Sequence, residues 1–83
     1  MNDTQLGVAQ TDARETMLQC ETAREDLAAG DMAQAQMAAQ TALDYALSAA
    51  QTLAGALGYV DLSALIDAAI IEAAKRRAGK LGG

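Results

Sequence analysis

A long stretch almost without charge dominates the sequence. Between Met32 and Val60 the only charged side chain is that of Asp44. Alanine, glutamine, methionine and leucine, which favour helices, fill most of residues 31–57, and the chain contains no proline. A helix that avoids charge over this length is not a helix surrounded by water. The stretch therefore predicts a helix that packs against other helices.

The apolar residues of this stretch recur at steps of three and four, which places them on one side of a helix. They are Met32, Ala35, Ala39, Leu43, Ala46, Ala50, Leu53 and Leu57. Because the stripe is mostly alanine, the backbones of neighbouring helices can approach closely. Gly30 and the capping pair Asp31 and Gln34 mark where the helix begins. We therefore expect residues 32–57 to form the central helix of a bundle.

Two further helices are predicted, one before and one after the central helix. Asp12 with Glu15 repeats the capping pattern and begins a helix over about residues 12–29, and a third helix covers residues 62–78. The short connections make neighbouring helices antiparallel. The expected fold is all-α: a small antiparallel three-helix bundle, formed by a helical hairpin plus a third helix, with alanine-rich close packing.

The ends of the chain are predicted to lie outside this single helical domain, which covers residues 12–78. Gly7 and Val8 weaken a helix near the N-terminus, so we expect residues 1–11 to be only partly ordered. At the other end a glycine is the expected stop of the third helix. Residues 79–83 are therefore expected to form a flexible tail.

Cys20 is the only cysteine, and it falls on the apolar stripe of the first helix. That stripe comprises Ala13, Met17, Cys20, Ala23 and Leu27. The position predicts a small buried core residue, and the alternative is a reactive thiol. A single cysteine forms neither an intramolecular disulfide nor a multi-cysteine metal cluster, and histidine is absent. The sequence therefore predicts no catalytic, cofactor-binding or metal-binding residues, and a protein that is not an enzyme.

The size of the chain limits the stability of a monomer. Hydrophobic residues make up 52% of 83 residues, but about half of them are alanines, which bury little area each. A larger apolar side chain contributes about 1.5–3 kcal/mol when buried, whereas each ordered residue costs about 1–2 kcal/mol of backbone entropy. We therefore expect extra burial through self-association or a partner.

Neither a secretory signal nor a membrane span is expected from the sequence. Residues 1–4 lack the positive segment and apolar run of a signal peptide. The longest uncharged run, residues 45–60, contains Ser48, Gln51 and Thr52 and is too short to cross a bilayer. The expectation is a cytoplasmic protein.

The third helix has an apolar face that is too wide for a single neighbour. We expect one side of it to pack on the hairpin and the other on a second subunit or a different protein. The alternative is that the hairpin wraps around this helix and leaves a monomer. The predicted protein interface consists of Leu62, Leu65, Ile66, Ile70 and Ile71.

Charge is segregated along the chain. Residues 1–72 hold all eleven acids and two arginines, and residues 73–83 hold four basic residues and no acid. Four cations without an interleaved aromatic residue make a nucleic-acid partner unlikely, because the acidic remainder repels phosphate. An acidic first helix can instead contact a basic partner. The predicted contacts are Glu15, Glu21, Glu25 and Asp26.

These features predict a small non-enzymatic protein-binding module, an adaptor, chaperone or assembly protein that acts through a helical surface. Its partner is expected to be a protein, most simply a second copy in a homodimer or small oligomer. The alternative function is an acidic inhibitor of the phage type, which would occupy the basic groove of a nucleic-acid-binding target.

Overall fold

A computed structural model describes residues 1–82 of the chain, with the backbone alone for residues 80–82. Three α-helices account for almost all of these residues: α1 covers Asp3–Ala28, α2 covers Met32–Leu57 and α3 covers Val60–Gly82. No strand occurs in the described part of the chain. The predicted all-α fold of three helices is confirmed.

Helix α1 begins at Asp3 rather than at residue 12, because the chain has a cap that precedes the expected one. The Asn2 side-chain oxygen accepts a hydrogen bond from the Gln5 backbone N–H at 2.8 Å. The Gln5 side-chain oxygen accepts one from the Asn2 backbone N–H at 3.0 Å. This reciprocal capping box satisfies two backbone donors and starts the helix before Gly7.

Both connections turn on a glycine with a positive φ, Gly30 at 82° and Gly58 at 77°. Asp31 caps α2 by accepting a hydrogen bond from the Gln34 backbone N–H at 3.1 Å, as the sequence predicts. At the C-terminus α3 continues through Gly79, so the backbone of residues 79–82 is helical where a tail was expected. Residue 83 lies outside the described part of the chain, and the mobility of this end stays a prediction.

The three helices lie side by side in a single layer. Helices α1 and α3 both contact α2, but over residues 1–82 they do not contact each other. The molecule measures 42 × 27 × 14 Å along its principal axes. The smallest dimension is about half of the next one, which agrees with helices that lie beside one another and are not stacked. The bundle is therefore open on two broad sides.

The packing inside this layer relies on alanine. The buried residues are Ala9, Ala35, Ala38, Ala42 and Ala54, and no large side chain is fully buried among those described. Helices α1 and α2 are in contact along much of their lengths, which confirms the predicted close packing of alanines. Helix α3 contributes no buried residue from its described side chains. Of the three helices, α3 is therefore the least tightly packed.

Candidate protein-interaction face

One broad side of the layer is identified by two grooves that meet at Leu43. The groove between α1 and α2 is lined by Cys20 and Leu27 on one side and by Ala39 and Leu43 on the other. The groove between α2 and α3 is lined by Leu43 together with Ala73 of α3. Because Leu43 borders both grooves, these residues lie on the same side of the layer.

The apolar stripe of α2 runs along this side. Residues three or four apart share a helix face, so Ala46, Ala50, Leu53 and Leu57 continue the line from Leu43. Leu43 remains 51% exposed and Leu57 remains 53% exposed. Helices α1 and α3 lie on the two flanks of α2, so neither covers the centre of the stripe. Leu43 and Leu57 were expected in the core and face outwards instead, whereas Ala35 of the same stripe is buried.

The flanking helices extend the same apolar surface. On α1, Ala13 and Met17 precede Cys20 at helical spacing, and on α3, Leu62, Ile66 and Ala69 precede Ala73 in the same way. We call this surface the apolar face. It comprises Ala13, Met17, Cys20, Leu27, Ala39, Leu43, Ala46, Ala50, Leu53, Leu57, Leu62, Ile66, Ala69 and Ala73.

Cys20 is exposed, and the prediction that it is buried was wrong. The sequence correctly places it on the apolar stripe of α1. The error arose because that stripe borders an open groove instead of a closed core. Cys20 shares this groove with Thr16 and Arg24 from its own helix. Its thiol is therefore accessible from the apolar face.

The predicted interface residues of α3 do not all lie on one surface. Leu62 and the half-buried Ile66 belong to the apolar face, and the exposed Leu65 lies at its outer edge. Ile70 lines a groove on the opposite side of the layer together with Ser48. Ile71 is exposed, and its position on the helix also turns it away from the apolar face. Because α1 makes no contact with α3 over residues 1–82, the hairpin does not wrap around this part of the helix.

The opposite side of the layer, which we call the polar face, contains Tyr45, Ser48 and Thr52 of α2. The Ser48 hydroxyl donates a hydrogen bond to the Asp12 carboxylate of α1 at 2.7 Å. The two residues come from different helices, so the bond links α1 to α2. Met37 shares this side because it lies three helical turns before Ser48.

Polar side chains also link α2 to α3. The Ser63 hydroxyl donates to the Gln51 side-chain oxygen at 3.2 Å, and the Gln51 amide donates to the Asp67 carboxylate. Nearer the end of α3, Arg77 donates to the Asp44 carboxylate and forms an ion pair with it. Asp44, the single charged residue of α2, therefore links α2 to α3.

The four acids proposed as partner contacts are divided between two surfaces of α1. Glu21 and Glu25 are exposed and lie one turn apart on the outer edge of the helix. Glu15 and Asp26 are half-buried and lie toward the polar face, three turns apart. The structure therefore brings the acids together in pairs, and it does not form one acidic patch from all four.

The described residues contain no group of three His, Cys, Asp or Glu side chains that could hold a metal ion. None of the three helices, over the same residues, combines the length and the apolar character needed to cross a membrane. No protein-family model matches the chain, and the curated proteins and the solved structures give no significant match. The apolar face is the feature of this fold that most clearly suggests a function.

The contribution of α1 and α2 to this face was missed from the sequence. Their stripes were visible as patterns of apolar residues, but a closed bundle would have used them as its core. The signal that could have found the face is the small size of the stripe residues. Alanine leaves little apolar bulk to hold three helices around a common centre.

Proposed function

We propose that the protein is a non-enzymatic protein-binding module, an adaptor, chaperone or assembly protein, and that it binds through the apolar face. One observation carries the proposal: the apolar stripes of all three helices lie on the same open side of a single layer. Scattered apolar residues are normal on a protein surface. A contiguous apolar patch larger than a few hundred Å² is typical of interaction sites.

The physical case rests on what the layer leaves exposed. Met17, Leu43 and Leu57 are each more than half exposed, and among the side chains that the structure describes the buried ones are all alanines. Covering a large apolar side chain contributes about 1.5–3 kcal/mol, so a partner on this face would supply much of the burial that the layer lacks. Binding of a partner would therefore also stabilise the fold of this chain.

A protein fits this face better than a lipid surface does. The chain has eleven acids against six basic residues, a net charge of −5, so anionic membranes repel it. The acidic inhibitor function receives less support, because only Glu21 and Glu25 of the proposed acids project together into solvent. A nucleic-acid groove would need a denser row of carboxylates than this pair supplies.

Photo-crosslinking in cells that produce the protein tests the proposal. Benzoylphenylalanine replaces Leu43 on the apolar face in one variant and Met37 on the polar face in the matched control. Both positions are exposed residues of α2, so the probes differ mainly in the side of the layer that they report. We expect protein adducts from position 43 and few or none from position 37.

The adducts also separate the possible outcomes. An adduct of any protein at position 43, the chain itself included, supports binding through the apolar face. Equal yields at the two positions, or none at position 43, would overturn the proposal. Circular dichroism of both purified variants shows whether the helices are retained.

A further inference from the structure

We propose that the occupant of the apolar face is a second copy of this chain, related by a two-fold axis parallel to α2. In this dimer α1 of each copy lies over α3 of the other, and the two α2 helices lie over each other. The inference rests on the proposed function and adds the identity of the partner and its orientation. Two features carry it: the area of the face and the distribution of charge among the helices.

The area of the face matches that of a stable dimer. A layer of 42 by 27 Å offers a surface on the order of 1,000 Å² on one side. A standard specific interface buries about 800 Å² on each partner. A flat side of that size, with an apolar stripe along its centre, fits a second flat side of the same kind, and this chain carries one itself. A two-fold pairing uses the same face on both copies and closes without leaving a free apolar surface.

The charges of the helices select one orientation of the two copies. Helix α1 has six acids and two arginines, a net charge of −4. Helix α3 has three acids and four basic residues, a net charge of +1. An axis parallel to α2 places α1 over α3 of the partner, which pairs opposite net charges. An axis across the helices would place α1 over α1, which opposes −4 to −4.

The level of the residues along the helices determines which of them meet in this arrangement. Cys20 and Ala73 both border grooves that include Leu43, so they lie within about one helical turn of the same height on opposite edges of the layer. Rotation about an axis parallel to α2 preserves this height. Cys20 therefore lies near Ala73 of the partner subunit, and Leu43 lies near its own symmetry mate.

The rim of the dimer pairs charges at this level. Arg76 borders the Leu43 groove next to Ala73, and its side chain is 79% exposed despite an ion pair with Glu72. Glu21 follows Cys20 on the outer edge of α1 and is exposed. In the proposed dimer Glu21 faces Arg76 of the partner subunit. At the centre, the small side chains of the α2 stripe allow the two α2 helices to approach closely.

Disulfide trapping of the full chain tests both the partner and its orientation. Ala73→Cys adds a thiol on the apolar face, and Ala74→Cys adds one at the adjacent position, which lines the groove on the polar side. Within one chain α2 separates Cys20 from position 73 by two helix spacings of about 8–10 Å each. That exceeds the reach of a disulfide, for which the Cα atoms lie about 4.4–6.8 Å apart.

The purified variants are oxidised with diamide, separated on a non-reducing gel and digested for mass spectrometry. We expect most of Ala73→Cys to form a covalent dimer that joins Cys20 to position 73 of the other chain. We expect Ala74→Cys to remain largely monomeric under the same treatment. Adding Cys20→Ser to Ala73→Cys should abolish the dimer. Light scattering of the wild-type protein should give twice the chain mass without oxidation.

Two results would overturn the inference. Links that join position 73 to position 73, or Cys20 to Cys20, would mean that the copies pair about a different axis. A wild-type monomer that gives no covalent dimer with Ala73→Cys would mean that a second copy does not cover the face. In that case, adducts of another protein at position 43 would leave the proposed function standing. The absence of any such adduct would remove both.

Discussion

The contact between α1 and α2 has buried alanines at its centre, whereas the contact between α2 and α3 buries less and contains several polar links. On the first side, Ala35, Ala38 and Ala42 are buried against α1. On the second side, Arg77 and Asp67 of α3 bind Asp44 and Gln51. In a close-packed apolar contact, a change of even one methylene group in side-chain volume alters stability. Half-exposed polar links contribute little stability. We infer that α1 and α2 form the more stable part of the fold, and that α3 would gain the most stability from contact with a partner.

Overpacking the alanine contact should have the largest effect. Ala42 is only 6% exposed, so Ala42→Leu has no room for its larger side chain and must push α1 away from α2. We expect the free energy of unfolding to fall by about 1–3 kcal/mol. The measurement is urea unfolding followed by far-UV circular dichroism. Ala33→Leu, at an exposed position of the same helix, is the control and should change stability by about 0.5 kcal/mol or less. Equal losses in both variants would refute close packing at Ala42.

Substitutions at two glycines near the turn before α3 should change stability by smaller amounts and in opposite directions. Gly58 has a φ of 77°, and a Cβ added there would meet no atom within 4 Å. Gly58→Ala therefore costs only the backbone strain of the left-handed conformation, about 1 kcal/mol. Gly55→Ala lies within α2 and should stabilise it by about 0.5–1 kcal/mol. Thermal unfolding of the two variants measures both shifts, and shifts of the same sign would contradict the placement of the turn.

The polar contact of α3 can be tested by removing one ion pair. The side chains of Asp44 and Arg77 are 42% and 39% exposed, so solvent screens their attraction. A double-mutant cycle with Asp44→Asn and Arg77→Gln should give a coupling energy of about 1 kcal/mol or less. Amide hydrogen exchange should become up to about fivefold faster in α3 and stay unchanged in α1. Equal acceleration in both helices would mean that the ion pair supports the whole layer.

The smallest effect is expected when acids of α1 are neutralised. Comparing the acids on the outer edge of α1 with those toward the polar face shows which of them affect self-association. Neutralising Glu21→Gln with Glu25→Gln should leave the fold intact and weaken self-association about two- to fivefold at low salt. Neutralising Glu15→Gln with Asp26→Asn changes the net charge equally and should leave the dissociation constant unchanged. Sedimentation equilibrium of the two double variants measures the difference. A larger loss in the second variant would place the partner on the polar face.

The sequence predicted most of the fold because the signals for helices are local. The cap at Asp31, the glycine at position 30 and the three- and four-residue spacing of apolar residues indicate the helices. The arrangement of the helices was harder to predict. The spacing shows which residues share a side of one helix, but it does not show whether that side meets two neighbours or none. Cys20 and Leu43 lie on the predicted stripes, and both are exposed because α1 and α3 flank α2.

The candidate site was predicted in part for the same reason. Leu62 and Ile66 lie on the apolar face, and helical spacing alone places them on the same side of α3. Ile70 and Ile71 were grouped with them because the apolar residues of α3 form a wide band. Which of these residues lies on which side of the layer depends on the side of α3 that packs against α2. The local sequence pattern does not specify that side.

The mass of the protein in solution tests the central claim most directly. Light scattering over about a hundredfold range of concentration, at low and high salt, measures whether the apolar face is covered by a second copy. We predict twice the chain mass of 8.5 kDa at both salt concentrations, because burial of apolar area is the main driving force. Leu43→Glu should give a monomer, and Met37→Glu on the polar face should remain a dimer. A folded wild-type monomer throughout the range would contradict the claim.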